Sequence, residues 1–169
     1  MKKFELTNEF ITNMFGTKLF RIRALVEFGD VEAGELGGYV EKESNLGHDD
    51  NAWVYDNAWV YGDAQVSGDA RVCGNARVYG DARVCGNGDY AYAHGFGSVN
   101  RTTTFFRLKD GGVGVRCGCF YGTLAQFRDK IRETHGETKK AQEYLMLADL
   151  MELRFEEDEN EVGNRKYVE

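Results

Sequence analysis

The amino-acid sequence predicts a mainly β protein: a short parallel β-helix with an N-terminal cap, followed by a β-hairpin and two α-helices. A strict six-residue repeat from Asn51 to Asn87 carries this prediction. That period suits neither a 3.6-residue helix nor a β-meander, but it suits a β-helix with one hexapeptide on each side. The 169 residues also include 21 glycines and no proline, a composition typical of many tight turns joined by fully paired strands.

Six consecutive hexapeptides make up the repeat. Their sequences are NAWVYD, NAWVYG, DAQVSG, DARVCG, NARVYG and DARVCG. The valine and alanine columns are predicted to point inward, and the Gly-Asp and Gly-Asn pairs to form corners that need left-handed backbone. The pattern resembles the hexapeptide-repeat proteins that form left-handed β-helices. It departs from the transferase members of that group, because Tyr, Ser or Cys follows the valine where those proteins often have Gly.

In that architecture three hexapeptides complete one triangular coil, so side chains 18 residues apart stack. Upstream, Val40 and Leu46 keep the six-residue spacing, with a two-residue offset before Val54. Downstream, Tyr90 and Phe96 continue the valine column. The repeat is therefore expected to form about four coils over residues 34–102.

The segment before the repeat, residues 1–33, is predicted to be an N-terminal cap of short strands. Its stretch LFRIRALVEF alternates well enough for one strand. The glycine-rich stretch AGELGGYVEKESNL then leads into the β-helix.

The segment after the repeat, residues 103–155, is predicted to be a separate β-hairpin and helical pair. Thr102–Leu108 and Val113–Cys119 flank a Lys-Asp-Gly-Gly turn. A first helix starts after Thr123, where Gln126 completes a capping box, and stops at Gly136. A second helix runs from about Thr138 to Phe155 with an apolar face. The inward residues expected are Leu124, Phe127 and Ile131 in the first helix and Tyr144, Leu147, Ala148 and Met151 in the second. Residues 156–169 are predicted to be an acidic tail.

The whole chain also resembles uncharacterised proteins of bacteriophages and prophages. In those proteins a segment like GELGGYVEKESNL precedes the hexapeptides, and blocks like TTTFFRLKDG, CGCFYGTLAQF and ETHG follow them. The resemblance implies a viral or mobile-element origin and supplies no chemistry.

Charge and composition exclude several classes of function. The formal net charge is -7, with the acidic excess at both ends and a slightly basic middle, which argues against non-specific nucleic-acid binding. No apolar run is long enough for a membrane span, and the N-terminus lacks a signal-peptide pattern, so a cytoplasmic protein is expected. The four cysteines then default to free thiols.

An acyltransferase is the enzyme hypothesis, because hexapeptide transferases use a histidine base in a cleft between subunits. His94, in a glycine-rich context, is the best candidate for that base. The alternative is that His94 only completes a coil in the inward small-residue column. His48 is interpreted as a solvated loop residue and His135 as a structural residue in the last turn of a helix.

No metal or cofactor is expected. The histidines do not have the spacing of a β-helix zinc site. Cys117 and Cys119 would lie on one face of a strand, but further ligands are missing. Phosphate-loop, serine-triad and dinucleotide motifs are also absent from the sequence.

Stacking by 18 residues predicts an outward ladder of aromatic and arginine side chains. Trp53 aligns with Arg71, Trp59 with Arg77, Gln65 with Arg83, and Tyr61 with Tyr79. Arginine over an indole is a cation–π pair that stabilises the coil. The same composition is typical of a protein-binding surface or of a site for an anionic, stackable ligand. Both interpretations stay open.

The sequence therefore favours a non-catalytic, phage-type accessory protein that captures a host protein or a small anionic, nucleotide-like ligand and thereby counters host defence. Self-association as a dimer or trimer is expected. An acyltransferase-like enzyme and a structural assembly protein are the alternatives. The predicted binding residues are Trp53, Trp59, Arg71, Arg77, Arg83, Tyr61 and Tyr79.

Overall fold

The computed structural model describes residues 1–97 and 101–156. Its secondary structure is mainly β, with two helices at the C-terminal end. The longer strands are β1 (Phe4–Thr12), β2 (Lys18–Ala24), β3 (Leu36–Val40), β10 (Tyr90–Phe96), β11 (Arg101–Arg107), β12 (Val113–Cys117) and β13 (Phe120–Thr123). The two-residue strands of the repeat are β4 (Trp53–Val54), β5 (Trp59–Val60), β6 (Gln65–Val66), β7 (Arg71–Val72), β8 (Arg77–Val78) and β9 (Arg83–Val84). The helices are α1 (Leu124–His135) and α2 (Lys139–Phe155).

The six short strands of the repeat stack with the predicted period of 18 residues. β4 pairs with β7, β5 with β8 and β6 with β9, all in parallel register. Every valine and alanine of the two columns is buried, with at most 1% of its surface exposed. The inward columns are therefore confirmed, and they form one continuous core.

The corners of the coils adopt the left-handed backbone that the glycine column predicted. The corner glycines with positive φ are Gly62, Gly68, Gly74 and Gly80, at +65° to +67°. Asp56 replaces glycine in this column and also has a positive φ, of 54°. Gly86 instead has extended backbone (φ -162°), because the chain leaves the coil there.

A partial coil precedes the repeat, offset by two residues as expected. Val40 pairs with Val60 and Leu46 with Val66, both in parallel. Asn45 is fully buried beneath this coil, and its amide donates to the carbonyls of Gly62 and Ala64 at 3.1 and 2.8 Å. Its carboxamide thus satisfies backbone groups that a coil boundary leaves open.

The N-terminal strands extend one side of the β-helix. β1 and β2 form an antiparallel hairpin, and β2 pairs with β3, which gives the strand order β1-β2-β3-β5-β8. The strand expected within residues 19–28 is β2. Phe4 and Phe28 cover the first coil from this side.

The fourth coil expected at Tyr90 and Phe96 does not form. Both residues lie on β10, which pairs antiparallel with β11. The free edge of the last coil is already capped there. The backbone N–H groups of Arg71 and Arg77 donate to the side chains of Asn87 and Thr104 at 2.8 and 2.9 Å. Another parallel coil would need these two N–H groups as donors, and the side chains of Asn87 and Thr104 already accept them.

The C-terminal unit is a four-stranded antiparallel sheet, in the order β10-β11-β12-β13, packed on α1 and α2. The predicted hairpin, both helices and the Thr123–Gln126 capping box are confirmed. Of the inward residues expected in the helices, Leu147 alone is partly buried rather than buried.

No helix in residues 1–97 and 101–156 is long and apolar enough to cross a membrane. The predicted acidic tail falls outside the described residues except for Glu156.

Candidate functional site

A cleft of about 350 Å³ opens where three parts of the chain meet. The turn between β1 and β2, the outer face of β5 and β8, and the C-terminal sheet each supply one wall. The cleft is lined by Asn13, Met14, Trp59, Tyr61, Arg77, Arg101, Thr102, Arg116 and Gly118. It is called the arginine cleft below, because its charged side chains are three arginines.

Arg77 is held rigidly on the solenoid wall of the arginine cleft. Its guanidinium lies 3.9 Å from the ring centre of Trp59, to which it is paired across β5 and β8. Its Nη1 donates to the carbonyl oxygens of Asn57, Asn75 and Ala76 at 2.8 to 3.2 Å. Burial lowers the pKa of Arg77. These contacts fix the orientation of the Arg77 guanidinium, so its remaining N–H groups point in one direction.

Arg116 is the most buried of the three arginines, with 8% of its surface exposed. Its guanidinium lies among the rings of Tyr79, Phe15 and Tyr61, at 5.0, 5.6 and 5.9 Å from their centres. Within the described parts of the chain no carboxylate lies within 4 Å of it. The phenol of Tyr61 lies within hydrogen-bonding reach of this guanidinium. A buried guanidinium that pairs with no described carboxylate favours a bound anion.

Arg101 completes the positive set at the mouth of the cleft. It begins β11, is exposed, and its guanidinium lies directly over the backbone of Gly118, where any side chain would collide with it. Arg77 and Arg101 likewise form no ion pair with a described carboxylate. Three like charges in one recess attract anions and raise their local concentration.

Tyrosine rings form the inner end of the arginine cleft. Tyr61 is 4% exposed and packs on Tyr79 with ring centres 4.5 Å apart, and Tyr79 in turn meets Tyr121 at 4.8 Å. Burial raises the pKa of Tyr61, although the positive charge of Arg116 opposes this effect. The phenol of Tyr61 therefore remains a neutral hydrogen-bonding group beside the arginines.

The structure brings only part of the predicted binding surface together. Trp59, Tyr61 and Arg77 line the cleft, and Tyr79 packs behind them. Arg71 and Arg83 do not join them, because residues six apart fall on different sides of a triangular coil.

The prediction that Trp53 is exposed on the outer ladder is wrong. Its strand does pair with that of Arg71, but the indole is fully buried between Phe4 and Phe28, at 6.3 and 5.3 Å. The N-terminal segment covers this side of the first coil. Arg71 is exposed and forms an ion pair with Asp30 at 2.9 Å instead.

Arg83 occupies the third side, above Gln65. Its Nη1 donates to the carbonyls of Asp63 and Ala82 at 2.8 and 2.9 Å, which repeats the contacts of Arg77 one hexapeptide earlier. It does not line the arginine cleft.

His94 lies outside the arginine cleft. It is exposed on β10, and its Nδ1 lies 2.8 Å from the hydroxyl of Thr102. The prediction that His94 points inward and completes a coil is therefore wrong. His48 stacks on Phe4 at 4.4 Å, accepts the backbone N–H of Lys3, and pairs with Glu43, so it is packed rather than solvated.

The sequence did not single out Arg101, Arg116 or Met14. Strand alternation in β12 places Arg116 on the face opposite Val115, which packs against the helices. That signal predicts an outward arginine, but it does not reveal that this face docks on the β-helix. Within the described residues, no three His, Cys, Asp or Glu side chains converge to hold a metal ion.

Comparisons with known proteins address the repeat. A family model described as YdcK beta solenoid repeat matches residues 52–68, 64–76 and 70–86. A search of curated proteins finds no match to the chain. The matched segments cover the six hexapeptides that stack in the structure, and together these observations identify residues 52–86 as a β-solenoid repeat.

Proposed function

We propose that this chain is a non-catalytic binding protein that captures a small anionic, nucleotide-like ligand in the arginine cleft. The observation that carries the proposal is the burial of Arg116 without a described carboxylate, beside Arg77 and Arg101. Phosphate and carboxylate groups are the natural partners of converging guanidinium groups. Trp59 and Tyr61 add flat, apolar contact area beside the charges.

The size of the cleft favours one small ligand. About 350 Å³ lies near the lower end of the roughly 300–1,000 Å³ typical of small-molecule sites. A host protein, the other partner expected from the sequence, would need a surface of about 800 Å² on this chain. A recessed site with a single sign of charge is better suited to a mononucleotide-sized anion.

The lining of the cleft supports binding rather than catalysis. It contains no His, Cys, Asp, Glu or Lys, which are the side chains that most often act as nucleophiles or general acids and bases. The rival acyltransferase hypothesis depends on His94 in a cleft between subunits. In the single chain, His94 lies outside the arginine cleft and is hydrogen-bonded to the hydroxyl of Thr102.

The resemblance to phage proteins indicates in which cell, and for what purpose, this binding activity would operate. We infer a left-handed hexapeptide β-helix of phage type, acting in the cytoplasm of the bacterial host and removing a nucleotide signal used in host defence. Self-association as a dimer or trimer belongs to the same proposal, and light scattering of the purified chain tests it. A strict monomer would contradict the oligomer without affecting the cleft.

Isothermal titration calorimetry with three probes tests the proposed function. Adenosine 5′-monophosphate should bind more tightly than inorganic phosphate, and adenosine should bind weakest, because the arginines supply most of the affinity and the rings the remainder. Higher salt should weaken the binding. If none of the three probes binds, the proposal is wrong. A host protein that co-purifies and is not displaced by nucleotides would instead favour the other partner class.

A further inference from the structure

Two cysteines share a second cleft beside the first. Cys117 and Cys119 both line a cavity of about 260 Å³ between the end of β12 and the helices. Lys130 and His135 lie on its rim, and its remaining lining residues are Arg101, Phe120, Phe127, Ile131, Thr134 and Tyr144. It is called the dithiol cleft below. Cα atoms two residues apart along a chain are at most roughly 7 Å apart, which overlaps the roughly 4.4–6.8 Å found in disulfides.

Two hydroxyl groups position the sulfur of Cys117. The hydroxyl of Thr103 donates to this sulfur at 3.2 Å, and the thiol of Cys117 donates to the hydroxyl of Tyr144 at 3.9 Å. These contacts hold the sulfur at the wall of the cleft that it shares with Cys119. Cys119 is exposed and Cys117 is half-buried, so an incoming reagent reaches Cys119 first.

The two clefts share one arginine and one turn. Arg101 lines both of them, and Gly118, which separates the two cysteines, lines the arginine cleft. Gly118 has a φ of +58°, and the guanidinium of Arg101 rests on its backbone. We therefore expect a change in the backbone of this turn to shift the guanidinium of Arg101.

We propose that Cys117 and Cys119 are a redox modification site, which forms an intramolecular disulfide by exchange with glutathione disulfide and thereby weakens anion binding in the arginine cleft. The second half of this statement rests on the proposed function. The Cys119 thiolate attacks one sulfur of glutathione disulfide and releases one glutathione thiolate. The Cys117 thiolate then attacks the Cys119 sulfur of the mixed disulfide and releases the second. Two protein thiols lose two electrons and two protons, and glutathione disulfide gains both.

Peptide mass spectrometry tests the modification on the full chain. Trypsin cuts after Arg116 and Arg128, so a single peptide, CGCFYGTLAQFR, carries both cysteines, whereas Cys73 and Cys85 fall on two other peptides. After incubation with glutathione disulfide this peptide should lose two hydrogen atoms in mass and regain them with dithiothreitol. Free thiols or stable glutathione adducts at both positions would overturn the proposal.

Titration with adenosine 5′-monophosphate tests the coupling. Oxidation should lower the affinity about tenfold, the order of magnitude of one lost charged hydrogen bond. Cys119→Ser should remove this response, whereas Cys85→Ser, a matched exposed thiol, should keep it. Equal affinity of the oxidised and reduced protein would overturn the regulation alone. If the reduced protein does not bind adenosine 5′-monophosphate, the proposed function is wrong. Formation of the disulfide would then still be measured by peptide mass spectrometry.

Discussion

Two sides of the β-helix carry the same arginine in the same place, yet Arg77 lines the arginine cleft and Arg83 does not. Arg77 and Arg83 both donate through Nη1 to the carbonyl of the preceding alanine and to a carbonyl 20 residues earlier. Arg77 lies over Trp59, whereas Arg83 lies over Gln65. The repeat thus places an arginine at an equivalent position on each side. The segments that pack around that arginine determine whether it becomes part of a binding site.

The elements that distinguish the two sides come from outside the repeat. The turn between β1 and β2 supplies Asn13 and Met14, and the C-terminal sheet supplies Arg101 and Arg116. The C-terminal sheet also caps the coils, because the hydroxyl of Thr104 accepts the backbone N–H of Arg77. Docking of this sheet therefore covers part of the solenoid edge and supplies two of the three arginines of the cleft.

The largest effect is expected from Arg116→Met. This variant removes the buried charge that lies beside Arg77 and has no counterpart beside Arg83. Affinity for adenosine 5′-monophosphate should fall about a hundredfold, as for one or two charged hydrogen bonds. The free energy of unfolding should stay the same or rise, because the variant replaces a buried charge that pairs with no described carboxylate by an apolar side chain. Calorimetry and urea unfolding measure the two quantities.

Arg83→Met is the matched control for this experiment and should leave the affinity unchanged. If Arg116→Met destabilises the fold as strongly as it weakens binding, Arg116 is a structural residue. In that case the comparison between the two sides loses its functional meaning.

The second prediction breaks the coil that both sides share. Gly68→Ala should destabilise the protein by about 2–3 kcal/mol, since alanine is strained at a φ of +65° and its Cβ would meet the carbonyl oxygen of Cys85. The melting temperature should fall by roughly 4–12 °C for a chain of this size. Gly86→Ala is the control, because its backbone is extended and its Cβ would meet no atom within 4 Å. A comparable loss in both variants would contradict the corner assignment.

These corners also mark how far the sequence alone could predict the molecule. A six-residue period fixes the stacking of Val54 on Val72 and the turn at Gly68, because both depend only on residues within the repeat. The burial of Trp53 and the position of Arg116 depend on how separate segments dock. No local pattern of β-strand residues encodes that docking, so the predicted site was spread over three sides of the coil.

The third prediction compares the two sides directly. Arg77→Gln and Arg83→Gln remove equivalent carbonyl contacts, so each should lower the free energy of unfolding by about 0.5–1.5 kcal/mol. Affinity for adenosine 5′-monophosphate should fall about tenfold in Arg77→Gln alone. Equal affinities in the two variants would place the ligand elsewhere.

The smallest effect is expected from exchanging the residues beneath the two arginines. Trp59→Gln makes the cleft side resemble the side with Arg83. It removes a cation–π contact at 3.9 Å and the packing of the half-buried indole on Tyr61, so thermal unfolding should show a loss of at least the roughly 0.5–1 kcal/mol of the cation–π contact. Affinity should drop about threefold, because Arg77 keeps its carbonyl contacts but loses one restraint on its direction. The reciprocal Gln65→Trp should stabilise Arg83 by a similar amount without creating affinity, since Arg101 and Arg116 do not reach that side. Nucleotide binding restored by Gln65→Trp in an Arg77→Gln background would show that stacked arginine suffices and that the docked segments are dispensable.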